Sequence, residues 1–350
     1  MRRCSILLSF ILIILILTAC GNESGRYTPR TRGTDVRKPM SWGHDQTIYI
    51  FADEPAWLAC KDTLSRTLEQ TRLTTEHEQY FELKYADFGL IDHHYKYKNL
   101  IFLANVNSHG EVMNFLKERL SNEIIDKVKQ ERIGMFVHHN LWANDQMVVF
   151  LMADNLTELK TFVGEQKVKT FELFLRTLKD RLATQVYKTD VYPSSNFDSR
   201  SWKMQIPTSF KILTVKDSTL VFRARLNNQP DRYILVHREV VEKSPDANWF
   251  KSKRRELANT FYDGDSFEDK NIQLKKSKLG LYPCLEMWGY WINNKYLVGG
   301  GFQSFLVYSS EKGEVYIIDN SVYYPEGFKL KALLETKVIS ETFTIKKENQ

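Results

Sequence analysis

Long apolar runs are scarce in this chain. The longest, Ile6 to Leu17, has twelve residues and is interrupted by Ser9, well short of the roughly 20 that a helix needs to cross a bilayer, so a polytopic membrane protein is excluded. Cysteine is scarce too, four among 350 residues, and without a Cys-x-x-Cys pair there is neither a disulfide framework nor a thiolate zinc signature. H-E-x-x-H and G-x-S-x-G are both missing, which removes the usual signatures of zinc peptidases and of nucleophile-elbow hydrolases. Charge of one sign is not in great excess, since 49 Lys and Arg oppose 43 Asp and Glu for a net charge of +6. Apolar residues are plentiful, 43% of the chain, and a chain of this length buries enough surface for two cored domains.

The first twenty residues have an order of their own. Arg2 and Arg3 precede the apolar run, and Leu17-Thr18-Ala19-Cys20 closes it with small residues, the layout of an export signal. The tetrad resembles the bacterial lipobox, which implies acylation of the Cys20 thiol and cleavage just before it. Stable attachment takes more than one acyl chain, at about 0.8 kcal/mol per buried methylene. Loss of residues 1–19 with Arg2 and Arg3 lowers the charge from +6 to +4. Gly21 rather than Asp after the cysteine suits transfer to the outer membrane, facing the periplasm, and an exported chain has no nucleic acid as its partner. Cys60 and Cys284 remain as two thiols or one disulfide, and their placement in separate domains favours two buried thiols.

Residues 20–44 are rich in Gly, Arg, Thr and Pro and have no apolar periodicity, so they read as a tether from lipid to fold. Its basic residues, Arg26, Arg30, Arg32, Arg37 and Lys38, are either a solvated spacer or a contact to anionic head groups. A first domain over 45–190 follows. Thr47 to Phe51 reads as a strand. Asp53-Glu54-Pro55 starts a helix through an acidic cap and a first-turn proline, with Trp57, Cys60, Leu64 and Leu68 on its apolar face. Strands are expected at Phe81–Tyr85 and Asn99–Val106, then one long helix from Val112 to Val128. A hairpin is expected across Asn140–Asp145, and then a helix that opens on an Asn155/Glu158 capping box and breaks near Gly164. Pro193 to Asn196 marks a boundary. A second domain over 198–350 has strands at Trp202–Pro207, Leu220–Arg225 and Tyr233–Arg238, a helix at Asp246–Phe261, a meander from Leu285 to Asn320, and a last helix after Pro325. The fold class is α+β: two layered α/β-type domains, each a mixed sheet with helices packed on it.

Several of these features together resemble a lipoprotein family found mainly in the Bacteroidetes lineage, domain of unknown function 4837. They are the lipobox, the tether, the strand and Trp-bearing helix, Trp288 to Trp291, Gly299-Gly300-Gly301-Phe302, and Val322-Tyr323-Tyr324-Pro325, and they span nearly the whole chain. The resemblance implies localisation and architecture, with no catalytic residue to carry over. The second domain also resembles the PsbP/Mog1 fold, with a proline near the end of its first strand and a Tyr-Pro step before its last helix.

Chemistry is thin. The pairs His93-His94 and His138-His139 put neighbouring side chains on opposite faces of a strand and do not chelate, so no metal or cofactor is expected. Ser309-Ser310-Glu311-Lys312 sits at a hairpin tip. The glycines at 299–301 lead into a strand rather than a helix, so they mark close packing rather than a phosphate loop. Asp263, Asp265, Glu268 and Asp269 form an acidic loop, and Lys251, Lys253, Arg254 and Arg255 a basic helix face. Trp288, Tyr290, Phe302 and Tyr308 are the candidate ligand or partner face, for an envelope protein or a glycan, although buried strands call for the same letters. The expected function is a lipid-anchored envelope lipoprotein acting as a non-enzymatic binding or assembly accessory. The alternative is an envelope hydrolase of glycan, peptide or lipid with cleft carboxylates such as Asp263 or Glu286 as acid and base.

Overall fold

A computed structural model describes residues 35–86 and 88–346; the lipobox and Cys20 lie outside the described residues. The first half runs β1 (Thr47–Ala52), α1 (Glu54–Leu68), β2 (Thr71–Leu73), β3 (His77–Gln79), β4 (Glu82–Tyr85), α2 (Ile91–His94), β5 (Asn99–Asn105), α3 (Glu111–Lys117), α4 (Asn122–Glu131), β6 (Ile133–His139), β7 (Met147–Ala153) and α5 (Leu156–Val186). Its five-stranded sheet has the order β4-β1-β5-β7-β6, parallel except for β6. Parallel strands covered on both sides need apolar residues at every position. In β5, Ile101 and Leu103 pack under α1 and α5, while Leu100, Phe102 and Ala104 pack under α2 to α4.

Two helices depart from the periodicity. The expected long helix is split at 118–121, where Ser121 precedes α4, and Leu116 of the first piece and Val128 of the second both enter the core on this face of the sheet. The expected break at Gly164 is absent: α5 runs unbroken for 31 residues, and a Cβ at Gly164 would meet nothing within 4 Å. Asn155 caps α5 by accepting from the Glu158 N–H at 3.0 Å.

The second half runs β8 (Trp202–Lys203), β9 (Lys211–Val215), β10 (Thr219–Ala224), β11 (Asp231–Val240), α6 (Ala247–Phe261), β12 (Ile272–Leu279), β13 (Tyr282–Asn293), β14 (Val298–Ser309), β15 (Glu314–Tyr323), α7 (Leu330–Ser340) and β16 (Thr344–Ile345). Seven strands form an antiparallel sheet in the order β12-β13-β14-β15-β11-β10-β9. Helix α6 covers one face through Phe250, Leu257 and Ala258. The other face packs against the 197–210 segment and the end of α7. With both halves mixing sheets and helices, the fold is α+β. No described helix is long and apolar enough to cross a membrane.

Helix α7 joins the halves. Leu330, Leu334 and Val338 complete the core of the first sheet, Leu333 packs on Val322, and Ile339 enters the core of the second. A helix packed on more than one side carries apolar residues on more than one face, and each such buried side chain contributes about 1.5–3 kcal/mol. Its N-terminus is capped from the first half: Glu78 accepts from the Lys329 and Leu330 N–H groups at 2.8 and 2.7 Å, a carboxylate at the positive end of the helix. Thr74 beside it lies 3.3 Å from where a Gly301 Cβ would be, and a Gly300 Cβ would stand 2.1 Å from the Val322 carbonyl and 2.5 Å from the Trp291 ring. The glycine run is therefore a place of close packing.

Candidate functional site

The sequence candidates are dispersed by the sheet. Successive residues of a strand face opposite sides, so Trp288 and Tyr290 share the face that carries Glu286, while Phe302, paired with Gly289, lies on the other. Phe302 is fully buried beneath α6, and Tyr308 shares its side. The four aromatics therefore do not form one face. Trp288 and Tyr290 are half-buried, with the Arg72 guanidinium 4.4 Å and the Lys275 ammonium 5.2 Å from the Trp288 ring centre.

The cleft carboxylates are also kept apart. Glu286 is 1% exposed. It accepts from Arg72 Nη2 at 2.7 Å and Gln303 Nε2 at 2.5 Å, with Lys337 Nζ 3.6 Å away. Burial would raise its pKa, but Lys337 and Arg72 outweigh burial and hold the carboxyl well below the usual carboxylate range. Such a group stays ionised and has no proton to give. Asp263 lies beyond α6, on the opposite side of the sheet. Its neighbour Asp265 is pushed up to about 6, chiefly by burial, although the Asn293 amide at 2.8 Å opposes the shift. The remaining loop acids have partners: Asp269 pairs with Lys251 and Arg255, and Glu268 with Lys270. Arg254, expected on a basic helix face, is instead buried against Asp319 at 3.1 Å. Among the described residues no three His, Cys, Asp or Glu groups are placed to share a metal ion.

Cys60 and Cys284 are free and buried. Burial pushes their thiols up to about 11 and about 12, the second with help from Glu286, so neither is a ready nucleophile.

In open α/β sheets ligands bind beyond the carboxyl ends of strands where the strand order reverses. Here that place lies between β1 and β5 and is occupied by the protein's own Asp53. The expected acidic cap of α1 makes no side-chain bond to that helix. Asp53 crosses instead to α3, accepting from the Val112 N–H at 3.1 Å and Ser108 Oγ at 3.0 Å, and a Cβ on Gly110 would stand 2.1 Å from its carboxyl.

The feature the sequence reading leaves out is β9, although Ile212, Thr214 and Val215 carry the β-branched signal. It is one edge of the seven-stranded sheet. The other edge, β12, exposes Lys275, Lys276 and Lys278, a device that blocks pairing with another strand. On β9 the exposed residues after Lys211 are Ile212, Leu213 and Val215. A bulge leaves Leu213 without a partner on β10. Beside this edge lies a cavity of about 220 Å³ lined by Tyr192, Phe197, Phe222, Leu220, Ile212 and Val215, with Asn196, Ser199 and Arg200 at its polar side. A turn at Ser194–Phe197 after Pro193 drives Phe197 into the core. Tyr192 is fixed by donating to the Phe210 carbonyl at 3.0 Å. Arg200 donates to the Asp217 and Lys216 carbonyls, both at 3.0 Å, which clamps the β9–β10 turn and leaves a cation at the cavity. The lining holds no carboxylate. Such a place can take an apolar side chain from an added strand, with acidic groups beside Arg200.

No curated protein matches the chain. Among solved structures it is similar to the Ran-binding protein Mog1p of Saccharomyces cerevisiae, at 13% identity over 41% of this chain and 90% of that one, with a TM-score of 0.30. LpqN, involved in cell envelope biogenesis of Mycobacterium tuberculosis, shares 15% identity over 42% of this chain and 83% of its own, at a TM-score of 0.25. A protein of Bacteroides thetaiotaomicron VPI-5482 shares 11% over 45% and 48%, at 0.28. Likenesses of this size carry no functional argument. Residues 41–187 match the family described as Domain of unknown function (DUF8532), so the resemblance read along nearly the whole sequence is narrower in extent. Residues 194–342, in the second half of the chain, match the family described as Domain of unknown function (DUF4837).

Proposed function

We propose that the protein is a bacterial cell-envelope lipoprotein, held in the outer membrane through lipidated Cys20 and facing the periplasm, which acts as a binding or assembly accessory. Its partner is an extended segment of another envelope protein that adds to β9 and sets an apolar side chain into the adjoining cavity. The observation that carries this reading is the pairing of an unguarded apolar edge with an aromatic-lined cavity free of carboxylates. Strand addition draws affinity from main-chain hydrogen bonds and specificity from pockets for alternate side chains, and both are at hand there. The hydrolase reading has less support, since Asp263 and Glu286 are separated by the sheet and Glu286 is saturated with cations.

Crosslinked capture from intact envelopes tests the binding role. The full chain should recover one protein complex reproducibly, and a Leu213→Lys/Val215→Lys variant should lose it while keeping its fold. Equal recovery by both removes β9 as the docking edge. For the anchor, a palmitate analogue should label the wild type and not Cys20→Ala, and equal labelling of the two would refute lipidation.

A further inference from the structure

We infer that the segment 36–44, at the amino-terminal ends of the central parallel strands, is a docking face for an anionic lipid surface. This rests on the proposed lipid anchor at Cys20. Apolar exposure is concentrated here: Val36, Met40 and Trp42 are 96%, 63% and 55% exposed within seven residues. That exposure is built in, because the backbone is fastened on both sides. Ser41 donates its N–H to the Asn144 carbonyl at 2.9 Å and its hydroxyl to the Asp145 carbonyl at 3.0 Å, and the Lys98 N–H donates to the Trp42 carbonyl at 3.0 Å. Ser41 faces inward, so Met40 and Trp42 on either side of it face out together. Trp42 stands on Tyr97 at 5.8 Å between ring centres, and Tyr97 on Tyr49 at 4.3 Å, a rigid aromatic base for a side chain type favoured at membrane interfaces.

Charge and chain length point to the same occupant. Residues 21–44 hold five basic residues, Arg26, Arg30, Arg32, Arg37 and Lys38, against the acids Glu23 and Asp35, and basic residues beside an apolar anchor are drawn to anionic head groups. Only 14 residues separate Cys20 from Asp35, a reach of at most about 50 Å when fully extended. The acylated residue thus keeps this end of the protein within reach of the bilayer.

The test uses the lipidated full chain in vesicles of phosphatidylcholine and phosphatidylglycerol at two to one, with brominated acyl chains that quench tryptophan only at short range. Flotation reports attachment and quenching reports docking. The wild type should float and be quenched, Trp42→Phe should float and lose more than half of that quenching, and Trp249→Phe on α6 should keep it. A chain that floats with quenching unchanged by Trp42→Phe overturns the docking face and leaves the anchor standing. Equal quenching on neutral phosphatidylcholine vesicles overturns the anionic surface as the occupant. A chain that does not float overturns anchor and face together.

Discussion

The two faces of the seven-stranded sheet each bury an arginine with a carboxylate, and they do so differently. On the face turned to the first half, Arg72 comes from β2 to meet Glu286 on β13 and also donates to the Tyr80 hydroxyl at 3.0 Å, while Gln303 and Lys337 surround the same carboxylate. On the face under α6, Arg254 meets Asp319 through Nε alone; its Nη1 and Nη2 have no hydrogen-bond partner, and its guanidinium carbon lies 3.8 Å from the centre of the Phe302 ring. Nearby, Asp265 has an amide for a partner rather than a cation. Burial opposes ionisation on both faces. The number of cations within reach decides the result, so Glu286 is held below the usual carboxylate range and Asp265 is raised above it. A carboxylate that reads alike in sequence becomes a fixed anion on one face and a titrating acid on the other.

The comparison breaks most visibly at Arg72. Arg72→Met leaves Glu286 buried without its guanidinium and should cost about 3–5 kcal/mol of unfolding free energy in urea titrations; a loss below 1 kcal/mol would mean that the two halves do not depend on this pair. Because Glu286 has a lowered folded pKa, its contribution is present above the unfolded carboxylate value of about 4.3 and is lost only as pH falls through the lower folded value. The stability gap between wild type and Glu286→Gln should therefore stay constant from pH 7 to about 4.5 and close only in stronger acid.

On the α6 face, Arg254→Met should cost less, about 2 kcal/mol, since two of its three guanidinium nitrogens make no bond to lose. Equal losses for Arg72→Met and Arg254→Met would erase the distinction between the faces. The smallest effect is expected at Asp265. A raised folded pKa means that its favourable contribution is complete below the unfolded value of about 3.9 and is lost as pH rises through about 6. Asp265→Asn, which can still accept from Asn293, should gain about 1–2 kcal/mol at pH 8 after allowance for solvent screening, and nothing below pH 4. A gain independent of pH would show that titration is not its cause.

Much of the fold is legible in local pattern. The continuous apolar run of β5 requires burial on both sides, Asn155 and Asp246 announce the helices they cap, and the glycines before Phe302 sit where neighbours press close. The candidate site was less legible. Trp288 and Phe302 look alike in a strand, and only register puts them on opposite faces. β9 carries a strand signal, but nothing local says that it is an edge or that Phe197 and Tyr192 come to lie beside it.

Asp53 shows where the line falls. Its place before Glu54-Pro55 foretells a helix start, and a helix does start there, yet its carboxylate serves a different helix 59 positions away. The sequence by itself determined which segments become strands and helices, where most begin, and the family resemblance over the second half, because these depend on neighbours within a few turns. Tertiary structure alone decided which charges are paired, which carboxylate stays ionised, and which edge is left open. Those outcomes depend on desolvation and on partners distant in sequence, as Arg72 is for Glu286, 214 positions away.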